Sequence, residues 1–143
     1  MQRTGTARWE GDIKGGKGTL KSERGAVSGT YSFGSRFGAD TSGTNPEELI
    51  ATAHAACFSM ALSAALSKDG TVPRSIETTA TVNVEQGSSG FAITRIDLDC
   101  RADVPGIAAD ALNRIAEDAK NNCPVSKALS AVPITLNLTR ING

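Results

Sequence analysis

Between Leu49 and Ser67 the chain carries no charged residue, and small or apolar side chains fill almost every position. Asn45, just before this run, can cap a helix. Pro46 suits the first helical position, and Glu47 and Glu48 favour the positive end of the helix dipole. Gly70 supplies the stop. The pattern predicts one long helix, and because no polar face interrupts it, a helix buried on most sides. Its length also raises a membrane-spanning reading. Three serines, a threonine and a histidine insert poorly, however, and neither flank is strongly basic, so a central core helix is the expectation.

On both sides of this run the period shortens. "TARWEGDI" and "GKGTLKSE" alternate weakly and are split by Gly15 and Gly16, as in a hairpin or two short strands. "SGTYSFGSRFGADTSGT" is turn-rich and reads as strand and loop. "IETTATVNVEQ" and "FAITRIDLDCRADV" are rich in β-branched residues and joined by "GSSG", a hairpin signature. Asp110 to Asn122 has the apolar spacing of an amphipathic helix through Leu112, Ile115, Ala116 and Ala119. Pro124 interrupts it, "PVSKAL" offers one or two further turns, and "ITLNLTRI" closes as a strand with Ile134, Leu136 and Leu138 on one face. The order is strands, long helix, hairpin, helix, strand, without repeats or linkers. It predicts a single α+β domain over residues 1–143.

Composition narrows what such a domain can do. With 15 basic and 15 acidic residues, no electrostatic footprint favours nucleic acid or an anionic membrane as partner. The glycine-rich "GDIKGGKGT" lacks the spacing of a phosphate-binding loop, and no helical pattern follows it. "MQRTGTARWEGDIK" has no apolar segment of the signal-peptide kind. Three cysteines, an odd number, do not make a secreted disulfide framework, so a cytoplasmic protein with reduced thiols is expected.

The three thiols are not equivalent. Cys100 alternates with Ile96 and Leu98 on one strand face and reads as a small core residue. Cys123 sits where one helix ends and Pro124 can begin the next, a position where it is either a plain helix-end residue or a cap whose pKa the dipole lowers. Cys57 lies mid-helix, where burial alone would raise its pKa and leave it inert. A reactive role needs a cation from elsewhere. His54, three residues earlier and on nearly the same face, leaves three readings open: a packed core histidine, a Cys-His dyad, or half a zinc site. Zinc would need two more ligands from a chain with no other histidine, so no metal is expected.

"WEGDIKGGKGT", "SRF", "TNPEELI" with "AHAACFSMALS", "GFAIT", "VPGI" and "CPVSKAL" together resemble the OsmC/Ohr family of thiol-dependent organic hydroperoxide reductases, and the N-terminal segment looks more like the OsmC branch than the Ohr branch. The resemblance covers nearly the whole chain. It implies antiparallel sheets around a long central helix in an intertwined homodimer, with a part in oxidative and hyperosmotic stress. It also implies that Cys57 is the peroxidatic thiol, Cys123 the resolving thiol, and Arg36 and Glu47 their polar partners. Phe33, Phe37, Phe58 and Met60 become candidates for an apolar substrate pocket. No cofactor is implied beyond an external dithiol reductant, of lipoyl type. Arg36 would be the cation that mid-helix Cys57 lacks, and Glu47 would orient it. The thiolate would attack the peroxide O–O bond to give a sulfenic acid, which Cys123 converts to a disulfide.

Helix geometry adds an expectation about assembly. Glu47 and Cys57 are ten residues apart, which on one straight helix is about 15 Å along the axis. Either the helix breaks between them or Glu47 acts at the thiol of a second subunit. Two alternatives to a peroxidase remain: a Cys-His hydrolase or acyl transferase built on Cys57 and His54, and a non-catalytic dimeric stress or binding protein with structural thiols.

Overall fold

The computed structural model describes residues 1–143, and the chain divides into two compact units, Met1–Leu49 and Ile50–Gly143. In the first unit β1 (Gly5–Glu10), β2 (Lys17–Ser22) and β3 (Ser28–Tyr31) form an antiparallel sheet in that order. The expected split at Gly15 and Gly16 is the β1–β2 turn. There Gly16 is closed in by the Trp9 ring and by backbone, so a side chain has no room. Trp9 donates to the Gly11 carbonyl at 3.0 Å and packs on Tyr31.

After β3 the chain does not stay in a loop: Phe33–Phe37 is a short helix, α1. Ser32 caps it, and Ser32 and Ser35 exchange side-chain and backbone hydrogen bonds in a capping box. The two serines three residues apart were a local signal for this helix. Its glycine content and shortness hid it from a periodicity reading. Ser35 also donates to the Thr44 carbonyl at 2.7 Å, which folds the following turn back on α1.

The long helix α2 runs unbroken from Pro46 to Lys68. Asn45 accepts from the Glu48 N–H at 2.9 Å, capping it as expected. At the other end Gly70 takes a positive φ of 83°, where a residue with a Cβ would be strained.

In the second unit α2 contributes a stripe of His54, Phe58, Leu62 and Leu66, all fully enclosed. This is less burial than the uncharged run predicts. Thr52, Ala53, Ala56, Met60 and Ala64 are exposed, Met60 to 75%. Within the unit only one side of α2 meets other elements. By length and composition α2 could also cross a membrane, but its apolar stripe is packed in the core of this unit.

That core is closed by a second sheet of β4 (Ser75–Gly87), β5 (Gly90–Asp103) and β6 (Ile134–Ile141). β4 and β5 are the predicted hairpin, turning at Ser88 and Ser89. Ile96, Leu98, Cys100 and Ala102 of β5 face inward, with Leu112, Ile115, Ala116 and Ala119 of α3 (Ala109–Asn122) in the same cluster. Alternation does the rest, since the intervening Arg95, Asp99 and Arg101 are solvent-exposed. One expectation needs correcting: β6 pairs parallel with β5, so this sheet is not wholly antiparallel. The intervening α3 and α4 (Pro124–Ala128) supply the long crossover that a parallel neighbour requires. Phe58 is among the largest enclosed side chains of this core. Phe58→Ala is expected to destabilise the protein by about 3–5 kcal/mol, measured by denaturant unfolding.

Candidate active site

Two of the four expected site residues meet in the first unit. Arg36 lies in the last turn of α1 and Glu47 in the first turn of α2. Asn45 holds the two elements together, since it caps α2 and also donates to the Ser35 carbonyl at 3.0 Å. The guanidinium then reaches the carboxylate through Nη2 to Oε1 at 2.7 Å, with Nε at 3.2 Å from both oxygens. Burial pushes the Glu47 carboxyl up, but the Arg36 hydrogen bond, the Glu47 backbone N–H and the Arg36 charge outweigh it and hold the pKa below its usual value. The sign follows: the pair is intact at neutral pH and is lost only as pH falls through that lowered pKa. Arg36 also lies over the Phe37 ring at 4.9 Å, and Phe37 packs on Phe33. The guanidinium remains partly exposed and carries donors that Glu47 does not use.

The other two meet in the second unit. Cys57 Sγ of α2 and Cys123 Sγ are 2.8 Å apart although the residues are 66 positions apart in the chain. Neither is in a disulfide, Cys123 is fully enclosed and Cys57 is half-buried. Cys123 is the last residue before α4, with Pro124 at the first helical position, as expected.

Their environments differ. Burial raises the Cys57 pKa and the neighbouring Cys123 raises it further, against a single lowering contact from the Val125 backbone. Burial also pushes Cys123 up, but Cys57, the Ser126 backbone N–H and hydroxyl, and the Val125 N–H together bring it below its ordinary value. The sulfur makes no fully formed capping hydrogen bond, and those donors act by lying close to it. Within this unit the surroundings favour ionisation of Cys123 over that of Cys57. Cys57 lacks a cation, as its mid-helix position predicts.

His54 does not supply one. Its Nε2 is 2.8 Å from Ser126 Oγ, its Nδ1 has no partner, and burial lowers its pKa. The imidazole is therefore neutral and engaged with a serine. Ser126 is the site residue that sequence reading missed. Its signal was its place three residues after a helix-capping cysteine, the position that faces a cap.

Of the apolar candidates, Phe33 and Phe37 are half-buried and Met60 is exposed. Phe58 is a correction: it is 0% exposed within the core and lines no open surface. Along the helix it falls on the stripe that includes His54 and Leu62, whereas Met60 falls on the opposite side. Cys100 is buried in β5, and burial raises its pKa, as for an inert core thiol. No three histidine, cysteine or acidic side chains converge in a way that could hold a metal ion.

Residues 38–137 match the family described as OsmC-like protein. Peroxiredoxin OsmC of Escherichia coli (strain K12) is 51% identical over 138 residues, which cover 96% of this chain and 95% of that protein. The organic hydroperoxide resistance protein of Xanthomonas axonopodis pv. citri (strain 306) is 34% identical over 103 residues, 71% of this chain and 70% of that one. Among solved structures, the organic hydroperoxide resistance protein OhrB of Bacillus subtilis superposes with a TM-score of 0.75 at 25% identity, covering 95% of this chain and 98% of that one.

Proposed function

Because this chain belongs to the OsmC-like protein family, we propose that it is a thiol-dependent peroxidase that reduces organic hydroperoxides to alcohols. The observation that carries this reading is the 2.8 Å approach of Cys57 and Cys123 from distant parts of the chain. Two reduced thiols at that distance can form a disulfide with little movement. Cys57, on the more accessible side, attacks the distal peroxide oxygen, the O–O bond breaks, the alcohol leaves, and Cys57 becomes a sulfenic acid. Cys123 attacks that sulfur, forms the S–S bond and releases water. An external dithiol, of lipoyl type in our reading, restores both thiols by exchange. No prosthetic group takes part. We place the protein in the cytoplasm, where reductants regenerate such thiols.

Arg36 is the cation for Cys57, and a second copy of the chain delivers it. Three observations support this. First, α2 does not break between Glu47 and Cys57, so about 15 Å of helix separates them. Second, Glu47 pairs with Arg36 of its own chain, so arginine and glutamate cross to the partner's thiol together, rather than Glu47 alone. Third, α2 exposes an uncharged face of Thr52, Ala53, Ala56, Met60 and Ala64. The first unit also leaves an apolar hollow of about 490 Å³ beside Ala7, Leu20, Val27, Tyr31, Pro46 and Leu49. Surfaces of this kind are what a two-fold homodimer buries. Phe33, Phe37 and Met60 are then left as walls for the alkyl part of the substrate.

Thiol counting tests the reading. One equivalent of tert-butyl hydroperoxide should remove two titratable thiols, a dithiol should restore both, and Cys100→Ser should leave that count unchanged. A hydrolase working through Cys57 and His54 would instead form a thioester and lose no second thiol. A purely structural set of thiols would not respond to stoichiometric peroxide.

A further inference from the structure

The same face of α2 makes two contacts, one to the cap residue of α4 and one to α4 itself, with matched spacing. Cys57 meets Cys123, and His54, three residues before Cys57, meets Ser126, three residues after Cys123. His54, Ser126 and Cys123 are each at most 5% exposed, so water does not compete at this contact. Resting on the peroxidase reading above, we propose that His54 and Ser126 are positioning residues for the second chemical step, holding Cys123 ready to attack the Cys57 sulfenic acid.

The direction of the hydrogen bonds follows from the orphaned nitrogen. Nδ1 of His54 is buried with no partner. A proton there would be a buried donor without an acceptor, which is costly. The single proton of the neutral ring therefore sits on Nε2 and is donated to Ser126 Oγ. With that oxygen occupied as acceptor, the serine hydroxyl hydrogen is free to turn toward Cys123, whose thiolate it favours. The titratable groups that touch Cys123 and Ser126 are Cys57 and His54 of α2; Lys120 and Lys127 line a hollow beside Ser126, but no carboxylate, lysine or arginine contributes to the shift at Cys123.

In the step itself the Cys123 thiolate attacks Cys57 sulfur, the S–S bond forms and the S–O bond breaks. The leaving hydroxide takes up a proton equivalent to the one Cys123 gave to solvent, so water is the net product. Removing the serine hydroxyl takes away one of the donors that favour the Cys123 thiolate, and so raises its pKa. A more basic thiolate is also the better nucleophile, which cancels nearly half of the loss. The net expectation is disulfide formation about three- to tenfold slower near pH 7, with the deficit vanishing or reversing at alkaline pH.

A single-turnover experiment without reductant reads both steps. The protein is mixed with one equivalent of tert-butyl hydroperoxide, sulfenic acid is trapped with a cyclic dione and weighed by mass spectrometry, and thiol loss is followed against pH. Ser126→Ala and His54→Leu should lengthen the life of the sulfenic acid and move the pH midpoint of disulfide formation upward. Cys57 oxidation should change by less than the second step. His54→Gln, which keeps a donor for the serine, should restore much of the rate. Unchanged disulfide kinetics in both Ser126→Ala and His54→Leu would overturn the proposal. A slowing of equal size at every pH would overturn it too, because that is the signature of lost packing. If the unsubstituted protein forms no sulfenic acid at all, the peroxidase reading itself fails and this inference falls with it.

Discussion

Replacing Cys57 with serine is expected to reduce hydroperoxide consumption to the background of buffer alone. A serine hydroxyl is not ionised at neutral pH, and nothing in α2 would help it ionise, since the environment already disfavours charge at this position. Cys123→Ser should behave differently. It keeps the first nucleophile, so one equivalent of peroxide should still be consumed, but Cys57 is then stranded as a sulfenic acid open to over-oxidation. Intact-mass measurement after one and after ten equivalents separates the two variants: no added oxygen on Cys57→Ser, and one and then more on Cys123→Ser. Loss of turnover in Cys100→Ser, with Cys123→Ser still cycling, would show that the resolving thiol has been misassigned. The buried strand position of Cys100 argues against that outcome.

The second large effect concerns the cation. Arg36→Ala should lower the rate of Cys57 oxidation roughly a hundredfold at pH 7, by raising the thiol pKa and removing charge stabilisation from the departing oxygen. The pKa part has a sign that can be checked. The thiolate is the reactive form, so a raised pKa cuts the rate at neutral pH and the deficit narrows as pH rises. Subunit mixing then asks whose arginine it is. Cys57→Ser chains keep the Arg36–Glu47 pair, and Arg36→Ala chains keep both thiols. If the pair serves the partner's thiol, each mixed dimer regains one complete site, and random reassortment should return about a quarter of wild-type activity. If each chain served its own thiol, a mixed dimer would hold no complete site. Proven heterodimers without activity would therefore reject the shared site.

Much of this protein follows from local chemistry alone. Asn45, Pro46 and Gly70 mark the ends of α2 because capping, ring geometry and positive φ act within a few residues. The β4–β5 hairpin and α3 follow from alternation and from a 3.6-residue apolar period in the same way. The unfavourable setting of Cys57 was also legible, because a mid-helix residue has no free backbone donors wherever the helix packs. Other features depended on which surfaces meet. The run from Leu49 to Ser67 looks uniformly apolar, yet the core takes Phe58 and leaves Met60 in solvent, a choice made by the sheet that α2 packs against. β6 is parallel to β5 only because α3 and α4 carry the chain back across. Arg36 finds Glu47 through a five-residue helix too short to show a period. The contacts between Cys57 and Cys123, 66 residues apart, and between His54 and Ser126, 72 apart, leave no trace in local pattern. The residue types that chemistry needs were written along the chain, but the fold alone chose the thiol that faces Cys57 and turned its histidine away to a serine, because partners so distant in sequence are selected by packing and not by neighbours.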